Sequence, residues 1–251
     1  MIRRPTVKKG TANRAKKPSK VAPVFIWGAD QQEAEQVFNH AYAGGIAYDV
    51  ESTGLGPQAE VTEIALVQIC TGTKLFESRV RPTKAKMEEE AQRITGISDA
   101  MLKSAPSWAD LEEELLTIIG NSMLVAWSGE RPGDRPFDSR LCAQSHEAAG
   151  LGKADLFFMP TVNIKPYHRA YRQAAYGNRL HSNVRGGLDR ALLIEGLTYG
   201  GRSHGALVDS MAVAAVVKAC CTSLDGNKPI VLQTQEAEAE AEGGEATDGQ
   251  E

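Results

Sequence analysis

Apolar residues change their period along this chain. From residue 31 onward they recur at helical spacing, with Ala34, Val37, Phe38 and Ala41 on one stripe. Asp30 stands where a helix cap belongs, and Gly44-Gly45 stands where the helix should stop. A compact apolar stretch follows, Ile46-Ala47-Tyr48-Asp49-Val50-Glu51. Val61 to Cys70 and Lys74 to Val80 come next, with Thr71-Gly72-Thr73 between them. These three segments predict strands, and their short connections predict an antiparallel meander. Pro23 to Trp27 is a further short strand candidate. Helical patterns then take over. One covers 87–94 and ends at Gly96; another follows Ser107, carries Leu111, Leu115, Leu116, Ile118 and Ile119, and ends at Gly120. Met123 to Trp127 predicts a short buried strand. Residues 138–149, 163–176, 187–196 and 206–221 predict helices. A meander followed by alternating helices and strands implies an α/β fold: a mixed sheet of antiparallel and parallel strands flanked by helices.

Four acids interrupt this pattern. In a strand, residues i and i+2 share a face, so Asp49 and Glu51 project together while Tyr48 and Val50 project the other way. Paired carboxylates on a core wall repel each other and lose hydration, which a divalent cation resolves. Mg²⁺ suits such a strand because it takes few protein ligands and keeps waters for a phosphate. The alternative is an edge strand with a solvated acidic face. Asp209 is the third acid. On its helix the positions i+4, i+7 and i+11 are Val213, Val216 and Cys220, so it stands on the buried stripe. Interaction with the helix dipole is the alternative there. Asp138 opens a helix after Phe137, where it could serve only as a cap. His204 precedes Asp209 by five residues, in a loop that can fold back towards the same cleft.

Composition narrows the class. The chain has 251 residues, 42% hydrophobic and 24% charged, which is ordinary for a globular protein. No apolar run is long enough to span a membrane, and residues 1–20 are basic and polar with no signal-peptide core. A cytoplasmic location is the expectation. The four cysteines have no metal-knuckle spacing, and Cys220-Cys221 are adjacent, so core thiols are expected rather than disulfides. The net charge of -4 is unevenly placed. Residues 1–20 hold eight Lys or Arg and no acid, and residues 234–251 hold seven acids and no base. Such blocks do not fold alone. The expected organisation is a disordered basic arm over 1–22, a folded domain over 23–232 and a disordered acidic tail over 233–251. The arm could release counterions from nucleic-acid phosphates, or could pair with the tail.

The order of these features resembles the DEDDh family of 3′–5′ exonucleases. This ribonuclease-H-like group includes the proofreading subunit of bacterial DNA polymerase III, RNase T and oligoribonuclease. The resemblance rests on Asp49-Val50-Glu51-Ser52-Thr53-Gly54-Leu55, Phe137-Asp138 and His204-Gly205-Ala206-Leu207-Val208-Asp209. Ile94-Thr95-Gly96-Ile97-Ser98-Asp99, with Ala105-Pro106-Ser107 after it, looks like the family's linker between its first two motifs. The resemblance implies that Asp49, Glu51, Asp138 and Asp209 ligate two Mg²⁺ or Mn²⁺ ions and that His204 is the general base. Two such ions about 3.5–4 Å apart stabilise both the attacking and the leaving oxygen of a phosphoryl displacement. It also implies that Thr53, Gly54 and Leu55 contact the terminal nucleotide, Leu55 through an apolar surface. An ordinary turn with a core leucine is the other reading of that segment. The implied partners are single-stranded 3′ ends of DNA or RNA, and a polymerase or a second copy of the chain. There are departures from the family pattern. Ser128 stands where many members carry Asn, residues 129–136 look like an insertion, Asp134 competes with Asp138, and Gly205 stands where Arg is common. A catalytically impaired scaffold of the same fold, and a phosphohydrolase acting on small nucleotides, are the competing functions.

Overall fold

The computed structural model describes residues 31–129, 135–152, 161–176, 187–198, 201 and 204–222. The two charged arms, the strand candidate at 23–27, the Asp30 cap and Asp134 lie outside the described residues. Helix α1 (Gln31–Gly44) buries the stripe Ala34, Phe38 and Ala41. Strands β1 (Ile46–Ser52), β2 (Val61–Gln68) and β3 (Lys74–Arg79) form the predicted meander, each antiparallel to the next. β2 ends two residues before Cys70. There the Gln68 N–H bonds to the Thr73 carbonyl and the Gly72 N–H to the Gln68 carbonyl, with Gly72 at φ 77. That left-handed conformation favours glycine.

Helices α2 (Glu89–Thr95), α3 (Asp99–Leu102) and α4 (Trp108–Ile119) lead to β4 (Leu124–Ala126). Helix α5 (Phe137–Ala148) and strand β5 (Thr161–Asn163) follow, then α6 (Lys165–Tyr176), α7 (Leu188–Ile194) and α8 (Ala206–Thr222). The α4 start is capped as its sequence predicts: the Asp110 carboxylate accepts both the Ser107 N–H and its hydroxyl. Helix α3 and strand β5 were not predicted; both are too short to establish a period. β4 runs parallel to β1 and β5 parallel to β4, so the sheet order is β3-β2-β1-β4-β5. The expected mixed sheet is the observed one. Among the described residues, no helix is long and apolar enough to cross a membrane.

Central strand β1 sorts its side chains between two cores. Ile46, Tyr48 and Val50 join the cluster under α4 and α5, while Ala47 joins the cluster under α1, α6, α7 and α8. By the same alternation Asp49 and Glu51 lie on the α8 face. Helix α8 packs across β1 and β2 on that face, and its Ser210 hydroxyl donates to the Ala65 carbonyl at 3.2 Å. This helix is apolar nearly all round, as a helix enclosed by a sheet and three neighbours must be.

The loop between β3 and α2 is held by one buried acid. Glu60 accepts the backbone N–H groups of Thr83, Lys84 and Ala85 at 2.6–2.7 Å. Its neighbour Thr53 is tied to the same region, because the Thr53 carbonyl accepts the Glu88 N–H at 2.8 Å. Hydrogen bonds to a charged group contribute about 1.5–3 kcal/mol. Glu60→Ala is therefore expected to lower the unfolding free energy by about that much and to speed amide exchange at residues 83–85. Urea titration and hydrogen exchange read both effects. An unchanged midpoint with unchanged exchange would show that water replaces the carboxylate at no cost.

Candidate active site

The acids singled out from the sequence converge at one end of the sheet. Asp49 and Glu51 are half-buried on β1, and Asp209 is half-buried in the first turn of α8. Below Asp209, the side chains of Val213, Val216 and Cys220 are buried as the stripe predicts. One carboxylate oxygen each of Glu51 and Asp209 and a ring nitrogen of His204 all lie within 4.8 Å of one another. His204 itself is exposed and sits at φ 65. That left-handed conformation is uncommon outside glycine, although histidine adopts it more readily than most residues. Its backbone N–H donates to Asp209 Oδ2 at 3.2 Å, so the acid also shapes the loop that presents the imidazole.

Asp138 reaches the site from α5 on the other side of the sheet end. Pro136 occupies the N-cap position, so Asp138 is not the cap of its helix. It is 6% exposed, and its Oδ2 accepts the Ser128 hydroxyl at 2.9 Å. Ser128 Oγ in turn accepts the Phe137 N–H at 2.9 Å, and the Ser128 N–H donates to Asn163 Oδ1 at 3.3 Å. Ser128 thus connects β4, β5 and α5 around Asp138.

Burial and mutual repulsion raise the proton affinity of these acids. For Asp49, burial is the largest cause and holds its carboxyl well above the usual range; the charges of Asp138, Asp209, Glu51 and Glu63 add to it. Glu51 is pushed up to about 8 by burial, then by Asp209, Glu63 and Asp138. Asp138 is also raised by burial, but hydrogen bonds from Ser128, from its own amide and from the Val50 amide oppose the shift. The donor set is carboxylate oxygen with one imidazole. That suits a hard divalent cation, whose charge would reverse each of these shifts.

Sequence reasoning missed one acid in this group. Glu63 on β2 pairs directly with Glu51 across the antiparallel ladder, and its Oε2 accepts the Ala206 N–H at 2.9 Å. The signal was available: Glu63, Ala65 and Val67 alternate on the α8 face, so an acid there points at the same helix start. Asn163 was missed too, because β5 was.

The segment after β1 lies beside these acids. Thr53 is 2% exposed, and its Oγ1 accepts the Glu60 N–H at 3.0 Å. Gly54 has the Glu88 carboxyl directly over its Cα; a Cβ there would meet that group at 2.2 Å. Leu55 is 74% exposed, so it is not a core leucine. Its carbonyl accepts Arg140 Nη2 at 3.2 Å.

A second group with ligand-like spacing, His168, Glu195 and Cys220, joins α6, α7 and α8. Its carboxylate is already neutralised: Arg172 grips Glu195 through Nε at 2.6 Å and through Nη2, and His168 Nε2 lies 2.7 Å from Oε1. Burial pushes the Glu195 carboxyl up, but these hydrogen bonds outweigh it and hold it below its ordinary range. This is a structural ion network.

Comparison with known proteins agrees with the motifs. Residues 46–132 match the RNase_T family model, described as an exonuclease. The chain is 28% identical over 182 residues to the uncharacterized exonuclease CP81 of Escherichia phage 186, covering 69% of this chain and 86% of that protein. It is 29% identical over 123 residues to the DNA polymerase III subunit epsilon of Rickettsia prowazekii, covering 47% of this chain and half the length of that subunit. The nuclease domain of 3′hExo, a DEDDh family member solved with rAMP, superposes with a TM-score of 0.53 at 20% identity, over 75% of this chain and 98% of that domain. The fold is ribonuclease-H-like. Within that fold, residues 46–132 are similar to an exonuclease domain, and the chain is similar over most of its length to a phage exonuclease.

The pH dependence of stability follows from Glu51. An unfolded glutamate loses its proton near 4.5, whereas in the fold Glu51 keeps it up to about 8. The folded state therefore binds more protons across that window, and metal-free stability falls as pH rises through it. Urea unfolding in chelator, compared near pH 5 and pH 8, is expected to show this fall, and Glu51→Gln to reduce it. Equal slopes for both proteins would remove Glu51 as the titrating group.

Proposed function

We propose that this chain is a metal-dependent 3′–5′ exonuclease that hydrolyses the terminal phosphodiester bond of DNA or RNA and releases a nucleoside 5′-monophosphate. The observation that carries this reading is the convergence of Asp49, Glu51, Asp138 and Asp209, from three separate elements, beside the exposed imidazole of His204. Acids gathered this way are costly without a cation, and the family likeness supplies the reaction class.

In this reading the four acids hold two Mg²⁺ or Mn²⁺ ions. Bound divalent ions would stabilise negative charge on the attacking and leaving oxygens of an in-line displacement. His204, which is exposed to solvent, takes a proton from the attacking water. The new P–O bond forms as the bond to the 3′-oxygen of the penultimate nucleotide breaks, and that oxygen leaves with a proton. Thr53, Gly54 and Leu55 hold the terminal nucleotide. The exposed Leu55 offers an apolar surface to the base, and Gly54 leaves room for the Glu88 carboxyl packed over its Cα. Ser128 keeps Asp138 oriented. A single-stranded 3′ end is the substrate, and the likeness to a polymerase III subunit supports a polymerase as partner. The catalytic unit is the 23–232 domain between its charged arms.

Incubation with 3′- and 5′-labelled single-stranded DNA and RNA, with and without Mg²⁺, tests the reading. Metal-dependent release of mononucleotides from the 3′ end is expected. Asp49→Ala, Glu51→Ala, Asp138→Asn and Asp209→Ala should each abolish it while leaving the fold intact by circular dichroism. A variant that keeps wild-type turnover at saturating Mg²⁺ would remove that residue from the site. Failure of the wild-type protein to release mononucleotides would favour the scaffold function.

His204→Ala should lower turnover by about 10²–10⁴-fold, the usual contribution of a general base, with metal affinity little changed. The acidic limb of the pH–rate profile should disappear with the imidazole, since only its neutral form accepts a proton. An unchanged rate and profile would leave His204 with a purely structural role.

A further inference from the structure

Among the described residues before it, helix α8 has no side-chain cap. The two residues before it are His204 and Gly205; glycine offers no side chain, and the histidine ring is directed to the acids. The first backbone N–H groups of a helix have no partner within it and need an acceptor from elsewhere. Glu63 supplies one from the neighbouring sheet. Its Oε2 accepts the N–H of Ala206, the first residue of α8, at 2.9 Å. Two residues along the same strand, the Ala65 carbonyl accepts the Ser210 hydroxyl at 3.2 Å. The start of α8 is therefore registered against β2 at two successive same-face positions.

What this start carries matters. His204 lies two residues before Ala206 in a left-handed conformation, and Asp209 lies one turn after it. The His204 N–H is tied to Asp209 Oδ2, the Ala206 N–H to Glu63, and the intervening Gly205 carbonyl accepts the Asp209 N–H at 3.0 Å. Glycine has the widest backbone freedom of any residue, so a loop containing it needs such external pins to keep one shape. Glu63 also faces Glu51 across the ladder, so its charge acts against deprotonation of the neighbouring acids. A neutral acceptor would serve the helix without that repulsion. The group of ligand atoms within mutual reach contains Glu51, His204 and Asp209, and Glu63 is outside it.

We infer that Glu63 is a positioning residue: its hydrogen bond to the Ala206 amide sets where His204 and Asp209 stand relative to Glu51. The inference rests on the exonuclease reading for its catalytic consequence, although its structural part stands without it. The role requires reach rather than charge. Glu63→Gln keeps an acceptor oxygen at the same length, Glu63→Asp keeps the charge but withdraws the oxygen by one methylene, and Glu63→Ala loses both.

Two readouts test this. In the metal-free protein, amide exchange at Ala206 and the NMR resonances of the His204 ring should be close to wild type in Glu63→Gln. Both should be altered in Glu63→Asp and Glu63→Ala. With Mn²⁺ saturating, turnover on a labelled oligonucleotide should follow the same order, falling about 10–10²-fold in the Asp and Ala variants, as expected when a reacting group is misplaced by an ångström or less. If Glu63→Ala fails to fold, the Gln and Asp variants still decide. Activity kept by Asp and lost by Gln would assign Glu63 a charge or ligand role and overturn the inference. Unchanged Ala206 exchange and His204 resonances in Glu63→Asp would also overturn it. A wild-type protein with no nuclease activity would sink the functional reading, while the exchange and NMR results would still judge the role of Glu63 in placing the loop.

Discussion

Repulsion among carboxylates drawn from different elements to one end of the sheet is the constraint to which the surrounding structure answers. Asp49 and Glu51 share a strand face, Glu63 stands opposite Glu51, and Asp138 and Asp209 come in from α5 and α8. For Asp49 and Glu51 burial is the larger cause of the raised proton affinity and like charge the smaller. Desolvation has that effect whenever a carboxylate has no cation to replace lost water. Local hydrogen bonds to Asp138 and Asp209 hold part of this group, and packing elsewhere holds the rest. Helix α8 buries Ala212, Val213, Val216 and Val217 against the sheet and α1. Each buried aliphatic side chain of valine size contributes roughly 1.5–3 kcal/mol, and a few of them offset the local penalty.

The far half of α8 is held by charge of the opposite arrangement. Glu195 on the α7 side is paired with Arg172 and His168 of α6, and the Tyr171 hydroxyl donates to the Cys220 carbonyl at 3.1 Å. One end of the helix thus ends among satisfied ions and the other among carboxylates that repel. The anchored end fixes the helix axis. Glu63 and Ala65 fix its start, and a movement of the first turn would have to break hydrogen bonds at both.

Asp138 illustrates how an irregular stretch can leave a site intact. Ser128 before the segment between β4 and α5 and Phe137 after it are joined through one hydroxyl. That hydroxyl donates to Asp138 and accepts the Phe137 N–H, so the two ends of the segment are closed against each other at the acid. This closure, Asn163 and the Val50 amide hold the acid in place.

Much of this was legible along the chain. Period two placed Asp49 and Glu51 on one face of β1, and period 3.6 placed Asp209 above Val213 and Val216. Both periods are local, set by the backbone within a single element. The order of motifs carried the family resemblance, while short connections between apolar strands carried the meander and the alternation of helices and strands the mixed sheet. Strand β5 escaped because three residues establish no period, and with it went Asn163. Leu55 could have been a core leucine or an exposed one; nothing within its segment distinguishes them, and only the packed neighbours leave it 74% exposed. Glu63 was visible as an acid in a strand. Its contact with Ala206 spans 143 positions, and no local pattern encodes a hydrogen bond at that separation. The sequence by itself determined which residues carry charge and which face of its own element each one takes. The tertiary structure alone decided which faces meet, because side chains from elements distant in the chain acquire shared desolvation, repulsion and hydrogen bonds only once the sheet and α8 are packed together.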